Sequence, residues 1–350
     1  MKRSIVLVLL SCLFFQKSFS QKKVTVASSH FISKALRENK TGLDSNRNVK
    51  VYLPPSYASS KRSYAVIYFC LNLNKTPEQM LADGNLLKFL DSGFSGGVVK
   101  EFILVTADYS TPTIGSWFEN SSTTGRWLDY TVNELVPFID SHFRTIANRD
   151  SRGVAGDFIG GYGALKLAML YPDLFSVVYA MHPVGTGIGV TPGYTKSDWK
   201  KIFNATTFSD LYSVAYGPPF VAMAQAYLPN PSRPPFYCDF MVDMINGEAV
   251  PNAENILKWE NEFLLDHMVE KNLQNLRRLR GIGFDWARYD ANPDHVYSNH
   301  AFTHQLDQFG LDLEAEEYSG TPTNKTWTDD GRFYTRLLPF FNKHLVFDPK

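Results

Sequence analysis

Cysteine is scarce in this sequence, and the short motifs that bind metal ions are missing. Three cysteines occur, Cys12 near the N-terminus and Cys70 and Cys238 in the body of the chain. Neither a CxxC nor an HExxH pattern is present, so we expect no metal ion and no cofactor. Cys70 lies within the apolar run VIYFCL. Because buried free thiols are common, the sequence leaves a disulfide between Cys70 and Cys238 open.

An excess of charge of one sign is missing as well. The 35 lysines and arginines equal the 35 aspartates and glutamates in number, and the basic residues form no long run. Such a chain lacks the strongly positive surface that attracts nucleic acid. We therefore expect no nucleic-acid partner.

Long hydrophobic runs are also missing, so no membrane span is predicted. The first 20 residues, MKRSIVLVLLSCLFFQKSFS, combine Lys2 and Arg3 with a short apolar run and with small residues before Gln21. This pattern is typical of a secretory signal peptide that is cleaved after Ser20. We predict that residues 1–20 are removed and that residues 21–350 form one exported domain, either secreted or periplasmic.

What the sequence does contain is a series of short apolar runs separated by segments with helical periodicity. Continuous apolar runs of this length are typical of strands buried on both faces of a parallel sheet. Their alternation with helices predicts an α/β fold, a mostly parallel sheet with helices on both faces. The runs are SYAVIYFCL (63–71), EFILVTADY (101–109), SRGVAGDF (151–158), SVVYAMHP (176–183) and GIGFDWARYD (281–290).

One segment, residues 184–250, interrupts this alternation. It is rich in proline and glycine, as in YGPPF and LPNPSRPPFY, and it is too long for an ordinary connection between a helix and a strand. We predict a cap-like excursion over the carboxyl edge of the sheet, where the pockets of open α/β sheets lie.

The stretch VAGDFIGGYGALKLA, Val154 to Ala168, indicates a strand, a sharp glycine turn and a helix. In an α/β-hydrolase the same place has the pattern G-x-S-x-G, with the nucleophilic serine at the tip of the turn. Here Gly156 and Gly160 bracket the turn, and Phe158 occupies the position of the serine. Asp157 precedes that position and is expected to point beside the turn, so a nucleophilic Asp157 is a minor hypothesis.

From about Val51 to Leu345 the chain resembles the esterase family of the α/β-hydrolase superfamily, which includes S-formylglutathione hydrolase-like and feruloyl-esterase-like enzymes. The resemblance implies an α/β-hydrolase fold and a small-molecule ligand. The matching segments are VYLPPSY, GSWFENSSTTGRWLDYTVNELVPFIDSHFRT, AGDFIGGYGALKLAMLYPDLFSVVYAMHP and EEYSGTPTNKTWTDDGRFYTRLLPFF.

Three departures from the family pattern fall where its chemistry takes place. Phe158 replaces the serine, and Pro322, in YSGTPTN, replaces the histidine. The glycine turn that brings a backbone N–H to the oxyanion is replaced by CLNLNK. The resemblance leaves only the third triad member, Asp290. The residues expected at the former triad and oxyanion positions are Phe158, Ile159, Pro322, Leu71, Asn72 and Leu73.

These replacements lead to two hypotheses about function. Covalent acyl transfer needs a nucleophilic oxygen and an imidazole that takes its proton, and neither phenylalanine nor proline can supply them. The first hypothesis is therefore a pseudo-esterase that binds a small ligand or a partner without hydrolysing it. The second is relocated acid–base chemistry by His182 and Asp290, as in a lyase, an isomerase or an atypical ester hydrolase. An esterase that uses another serine, such as Ser116 or Ser319, is a third reading.

The segment GSWFENSSTTGRW, by the same resemblance, borders the substrate cleft. It contains Trp117, Arg126 and Trp127, and exposed tryptophan and arginine beside a cleft suit a carbohydrate or an aromatic ester. The alternative is that the tryptophans pack against the edge of the sheet.

Overall fold

The computed structural model describes residues 23–348, and the predicted signal peptide lies outside them. Eight strands form the main sheet, in the order β1-β2-β4-β3-β7-β8-β11-β12, and two small antiparallel pairs lie apart from it. The strands are β1 (Thr25–Ile32), β2 (Asn46–Leu53), β3 (Val66–Cys70), β4 (Ile103–Ala107), β5 (Asn120–Ser121), β6 (Gly125–Arg126), β7 (Arg152–Asp157), β8 (Val177–Met181), β9 (Val242–Ile245), β10 (Glu248–Pro251), β11 (Gly281–Ala287) and β12 (Glu314–Tyr318).

Helices connect these strands and cover the sheet. They are α1 (Pro77–Ala82), α2 (Asn85–Ser95), α3 (Trp127–Asp129), α4 (Val136–His142), α5 (Ile159–Leu170), α6 (Trp199–Asn204), α7 (Phe208–Leu211), α8 (Gly217–Tyr227), α9 (Ala253–Phe263), α10 (Leu265–Val269), α11 (Leu273–Leu276), α12 (Pro293–Gln308) and α13 (Leu338–His344). Among residues 23–348, no helix has both the length and the apolar character needed to cross a membrane.

The main sheet is mostly parallel, as the sequence predicted. From β4 through β3, β7, β8 and β11 to β12, all neighbouring strands are parallel. Strand β2 is antiparallel to both of its neighbours, β1 and β4. All five predicted apolar runs contain a strand of this sheet. The fold is that of an α/β-hydrolase.

Both faces of the central strands are buried, which explains their continuous apolar runs. Along β3, Tyr68 and Cys70 point into one hydrophobic cluster with α5, whereas Ile67 and Phe69 point into the other with α13. Side chains alternate between the faces of a strand, so a strand covered on both sides has no polar face. Cys70 and Cys238 are both buried and both free thiols.

The connection between β8 and β11, which we call the cap, lines the cavity described below together with residues that follow β7 and β11. The predicted excursion, residues 184–250, is not loop alone: it contains α6, α7, α8 and the hairpin of β9 and β10. The connection then continues through α9, α10 and α11 before it reaches β11. Helix α9 carries one face of the cavity described below.

Candidate functional site

The turn between β7 and α5 keeps the backbone geometry of a nucleophile turn. Phe158 at its tip has φ 57° and ψ −112°, a strained conformation that costs on the order of 1–3 kcal/mol for a residue other than glycine. A Cβ on Gly156 would lie 2.2 Å from the Gly160 carbonyl, and a Cβ on Gly160 would lie 2.0 Å from the Cys70 oxygen. The two glycines are therefore required by the close contacts of the backbone at this turn.

The side chain presented by this turn is an aromatic ring with no group that can attack a carbonyl. Phe158 is half-buried and lies parallel to the His182 ring, with 5.9 Å between the ring centroids. It meets the His295 ring edge-on, at 5.3 Å. The ring thus lies against both imidazoles at the tip of the turn.

His182 follows β8 directly and is buried. Its Nε2 lies 2.7 Å from Oδ2 of Asp290, and its Nδ1 accepts a hydrogen bond from the Ala287 backbone N–H at 2.9 Å. Because a backbone N–H can only donate, Nδ1 must be the unprotonated nitrogen, and Nε2–H donates to Asp290. Both ring nitrogens of His182 are therefore occupied.

His295 joins the same carboxylate from the first turn of α12. Its Nδ1 lies 2.8 Å from Oδ2 of Asp290. Asn292, the N-cap residue of α12, accepts from the Asp294 N–H with its Oδ1, so its amide Nδ2 is the group that donates to Nε2 of His295, at 3.0 Å. The nitrogens of His295 are thus also both engaged, with Nδ1–H as the donor.

Asp290 is the centre of this cluster. Its Oδ2 receives both histidines, and its Oδ1 accepts the Asn292 backbone N–H at 2.8 Å. Burial by itself raises the pKa of Asp290, but the hydrogen bonds from His182 and His295 outweigh it and hold that pKa well below its usual range. The carboxylate is therefore ionised at neutral pH and its oxygens are bound to these neighbours.

His182, Asp290 and His295 could be mistaken for a metal site. One ligand atom from each lies within 4.8 Å of the others. A histidine that binds a metal with one nitrogen donates the other N–H to an acceptor. Nδ1 of His182 instead faces the Ala287 N–H, so Nε2 must keep its proton and has no lone pair for a metal. The cluster does not fit a metal ion.

The other predicted triad and oxyanion positions are spread over the surroundings of the turn. Ile159 and Leu73 line the cavity described below, and Leu73 has φ 48°. Leu71 is buried and Asn72 is half-buried in the loop after β3. Pro322 is half-buried in the loop after β12, where its carbonyl accepts the Thr326 hydroxyl at 2.8 Å.

Asp157 is the last residue of β7, half-buried, and by strand alternation shares a face with Ala155, which packs in the cluster around α13. The structure therefore places it beside the tip of the turn. Burial, followed by the negative charge of Asp285, raises the pKa of Asp157 to about 7. A carboxyl group with this pKa keeps its proton in the folded protein at pH values where the unfolded chain has lost it.

We expect Asp157→Asn to stabilise the protein at alkaline pH. In the wild type, stability is lost as pH rises from the unfolded pKa near 4 through the folded pKa of about 7, because the folded carboxyl resists ionisation. The variant has no such loss, so above pH 8 its unfolding free energy should be higher by about 2 kcal/mol, a value reduced for the partial exposure of the side chain. Near pH 4 the two proteins should be equally stable.

Urea denaturation across this pH range measures the difference. Asp312→Asn, which removes an exposed carboxylate from the loop before β12, is the control and should change stability little at any pH. A difference between Asp157→Asn and the wild type that does not grow with pH would contradict the prediction.

A cavity of about 650 Å³ opens above the turn, between the cap and the carboxyl edge of the sheet. Its lining is mainly apolar and aromatic, which is typical of sites for small organic ligands. The polar cluster contributes Asp290, Asn292 and His295 to one side of it. Its aromatic lining residues are Trp117, Phe158, Tyr194, Tyr216, Phe220, Trp259 and Phe263.

Of the three residues predicted to border a cleft, Trp117 lines this cavity and the other two lie elsewhere. Trp127 is fully buried in the core, with its ring 5.7 Å from that of Tyr130, because it begins α3 on the side that packs against the sheet. Arg126 is exposed and forms an ion pair with Asp129 at 3.1 Å. The interpretation of Trp127 and Arg126 as cleft residues is corrected accordingly.

Comparison with known proteins finds that this chain is similar to esterases. A family model described as "Putative esterase" matches residues 41–212. An esterase of Mycobacterium tuberculosis strain H37Rv is 25% identical over 279 residues, which cover 77% of this chain and 55% of the relative. An endo-1,4-beta-xylanase/feruloyl esterase of Xylanibacter ruminicola is 25% identical over 138 residues, 37% of this chain and 18% of the relative. The chain thus spans just over half the length of the first of these relatives and less of the second.

Solved structures of esterases share the fold. A ferulic acid esterase superposes with a TM-score of 0.61 at 19% identity, covering 93% of this chain and 99% of the other. An S-formylglutathione hydrolase from Agrobacterium tumefaciens gives a TM-score of 0.59 at 15% identity, covering 93% and 97%. At these identities the likeness concerns the fold alone.

Proposed function

Because this chain belongs to the esterase family of the α/β-hydrolase fold, we propose that it is a pseudo-esterase. In this proposal the chain has kept the cleft of the family, has lost serine-based acyl transfer, and binds a small, largely apolar molecule in the cavity of about 650 Å³. The observation that carries the proposal is Phe158 at the tip of the turn, where an esterase presents its serine.

The histidines near Phe158 support the same conclusion. A triad imidazole must accept the proton of the nucleophile on a free nitrogen. His182 is bound through both nitrogens to Ala287 and Asp290, and His295 to Asp290 and Asn292. The surviving acid therefore serves to hold two imidazoles in place, and neither offers a free lone pair to the cavity.

The loop after β3 supports it further. In a hydrolase this loop lends an N–H to the oxyanion. Here the Asn74 side chain fixes the loop to the segment that follows β4, accepting from the Thr111 N–H at 3.2 Å and donating to the Thr111 carbonyl at 2.9 Å. Leu73 lines the cavity instead of a glycine.

We also propose that the protein is exported and acts outside the cytoplasm. This part rests on residues 1–20, whose basic start, apolar run and small residues before Gln21 form a secretory signal. The ligand would then be an extracellular or periplasmic small molecule.

A second candidate function is acid–base chemistry by His182 and Asp290, which lie 2.7 Å apart. For His182 to act as a base, its Nδ1 would have to release the Ala287 N–H, because Nε2 carries the only ring proton and its loss would leave an imidazolate. Releasing the Ala287 N–H costs a buried hydrogen bond. We therefore rank this function below ligand binding and include it in the test.

The test is hydrolysis of p-nitrophenyl acetate, p-nitrophenyl butyrate and methyl ferulate by purified residues 21–350. We expect rates indistinguishable from buffer for the wild type, His182→Ala and Asp290→Ala. Turnover by the wild type that is lost in either variant would contradict the proposal and support the second candidate.

Phe158→Ser tests whether the rest of the site could support catalysis, because it restores only the nucleophile. We expect it to stay inactive as well, since loss of a triad partner costs several orders of magnitude in rate and no imidazole nitrogen is free to accept the serine proton. Esterase activity in this variant would show that a working base and oxyanion site survive.

A further inference from the structure

Helix α9 turns one face towards the cavity, and one residue of this face is charged while the others are apolar. Ile256, Trp259, Glu260 and Phe263 all line the cavity, at the spacing of three and four residues that defines one side of a helix. Three of the four are apolar. Glu260 is half-buried at a position where an apolar residue is expected.

The other charged groups of the cavity wall are already engaged by an ion pair or by hydrogen bonds. Lys196 forms an ion pair with Asp294, and Asp294 also accepts the backbone N–H groups of Val190 at 2.6 Å and Thr191 at 2.9 Å. Asp290 is held by its two histidines. Among the lining carboxylates within residues 23–348, Glu260 is the one whose side chain has neither an ion pair nor a hydrogen bond.

We infer that the cavity takes an apolar molecule with one ammonium group, for which Glu260 is the counter-ion. This inference rests on the proposed function and names the chemical class of its ligand. Seven aromatic residues line the cavity, including Trp259 next to Glu260 in the chain, and aromatic rings attract cations through their faces. The single lysine of the lining is paired with Asp294, so an anionic ligand would face the unpaired carboxylate of Glu260 and no free cation of the lining.

Three ligands of nearly equal size test which charge on the ligand the cavity prefers. They are 4-phenylbutylamine, 4-phenylbutanol and 4-phenylbutanoate, which differ only in a cationic, neutral or anionic end. We expect the amine to bind about tenfold more tightly than the alcohol, from one partly desolvated ion pair with an aromatic contribution. We expect the carboxylate to bind most weakly. Isothermal titration calorimetry with residues 21–350 measures the three affinities.

Glu260→Gln is the decisive variant, and Glu254→Gln is its matched control. Glu254 lies on the same helix, is exposed and does not line the cavity. Glu254→Gln therefore removes the same charge from a position outside the cavity. We expect Glu260→Gln to abolish the preference for the amine over the alcohol, whereas Glu254→Gln keeps the preference. Circular dichroism verifies that both variants fold.

The outcomes separate this inference from the proposed function. Binding of all three compounds with equal affinity, tighter binding of the carboxylate, or an amine preference that survives Glu260→Gln would overturn the inference and leave a ligand-binding pseudo-esterase standing. If none of the three bound, both the inference and the proposed binding function would be contradicted.

Discussion

Gly160→Ala should lower the free energy of unfolding by about 3 to 5 kcal/mol. An added Cβ would lie 2.0 Å from the Cys70 carbonyl oxygen, 2.7 Å from its carbon and 3.0 Å from the Leu71 oxygen. All three atoms belong to the backbone and cannot rotate away. The start of α5 would have to move off the end of β3, which disturbs the centre of the sheet.

Gly193→Ala is the control for this substitution. Gly193 also has ordinary backbone angles, and the atoms nearest to its added Cβ are ring atoms of Phe220 and Trp259 at 3.6 Å, so stability should change by less than about 0.5 kcal/mol. Urea denaturation compares the two variants with the wild type. A loss below about 1 kcal/mol for Gly160→Ala would show that the turn is less tightly packed than we describe.

The same backbone contacts explain why the motif indicates the fold and not the activity. The glycines of VAGDFIGGYGALKLA are needed because β7, α5 and the end of β3 touch through their backbones. That need is the same whether a serine or a phenylalanine stands at position 158. The glycine spacing in the sequence therefore indicated the strand, turn and helix correctly, whereas serine-based activity would depend on the single side chain at the tip of the turn.

The central strands could be predicted because both of their faces are buried. The edge strand β12, with the sequence EAEEY, could not be recognised from hydrophobicity. Its carboxylates pair with basic residues of the C-terminal helical segment, as in Glu316 with Arg336 at 2.8 Å and Glu314 with Lys343 at 2.6 Å. A half-exposed strand stabilised by ion pairs carries no apolar run.

For the site, the sequence could predict where the side chains lie in the fold but not the hydrogen bonds that they form. Because the carboxyl ends of adjacent parallel strands meet at one edge of the sheet, the sequence indicated that His182 and Asp290 lie near the turn. It could not indicate that the Ala287 N–H occupies Nδ1 of His182, since this contact depends on the register of β8 and β11. The contribution of α9 to the cavity wall was missed as well, because the predicted excursion ended at residue 250, before this helix begins.

Arg332→Met should destabilise the protein by about 3 kcal/mol at neutral pH, because it leaves a buried carboxylate without its cation. Asp285 is fully buried within β11. Its Oδ2 accepts Nε–H of Arg332 at 2.9 Å and the Tyr179 hydroxyl at 2.6 Å. Burial raises the pKa of Asp285, and the opposing charge of Arg332 limits this increase.

The loss should depend on pH in a defined direction. Without Arg332, Asp285 resists ionisation more strongly, so the penalty relative to the wild type grows as pH rises and shrinks in acid, where the protonated carboxyl needs no cation. Arg336→Met is the matched control. Arg336 contacts the same Glu316 as Arg332, at 2.8 Å, but is half exposed, so its removal should cost less than about 1 kcal/mol. Urea denaturation at acid and neutral pH measures the two losses. Equal losses of stability in the two variants would contradict the prediction, because the cost is assigned to the buried Asp285 and not to Glu316.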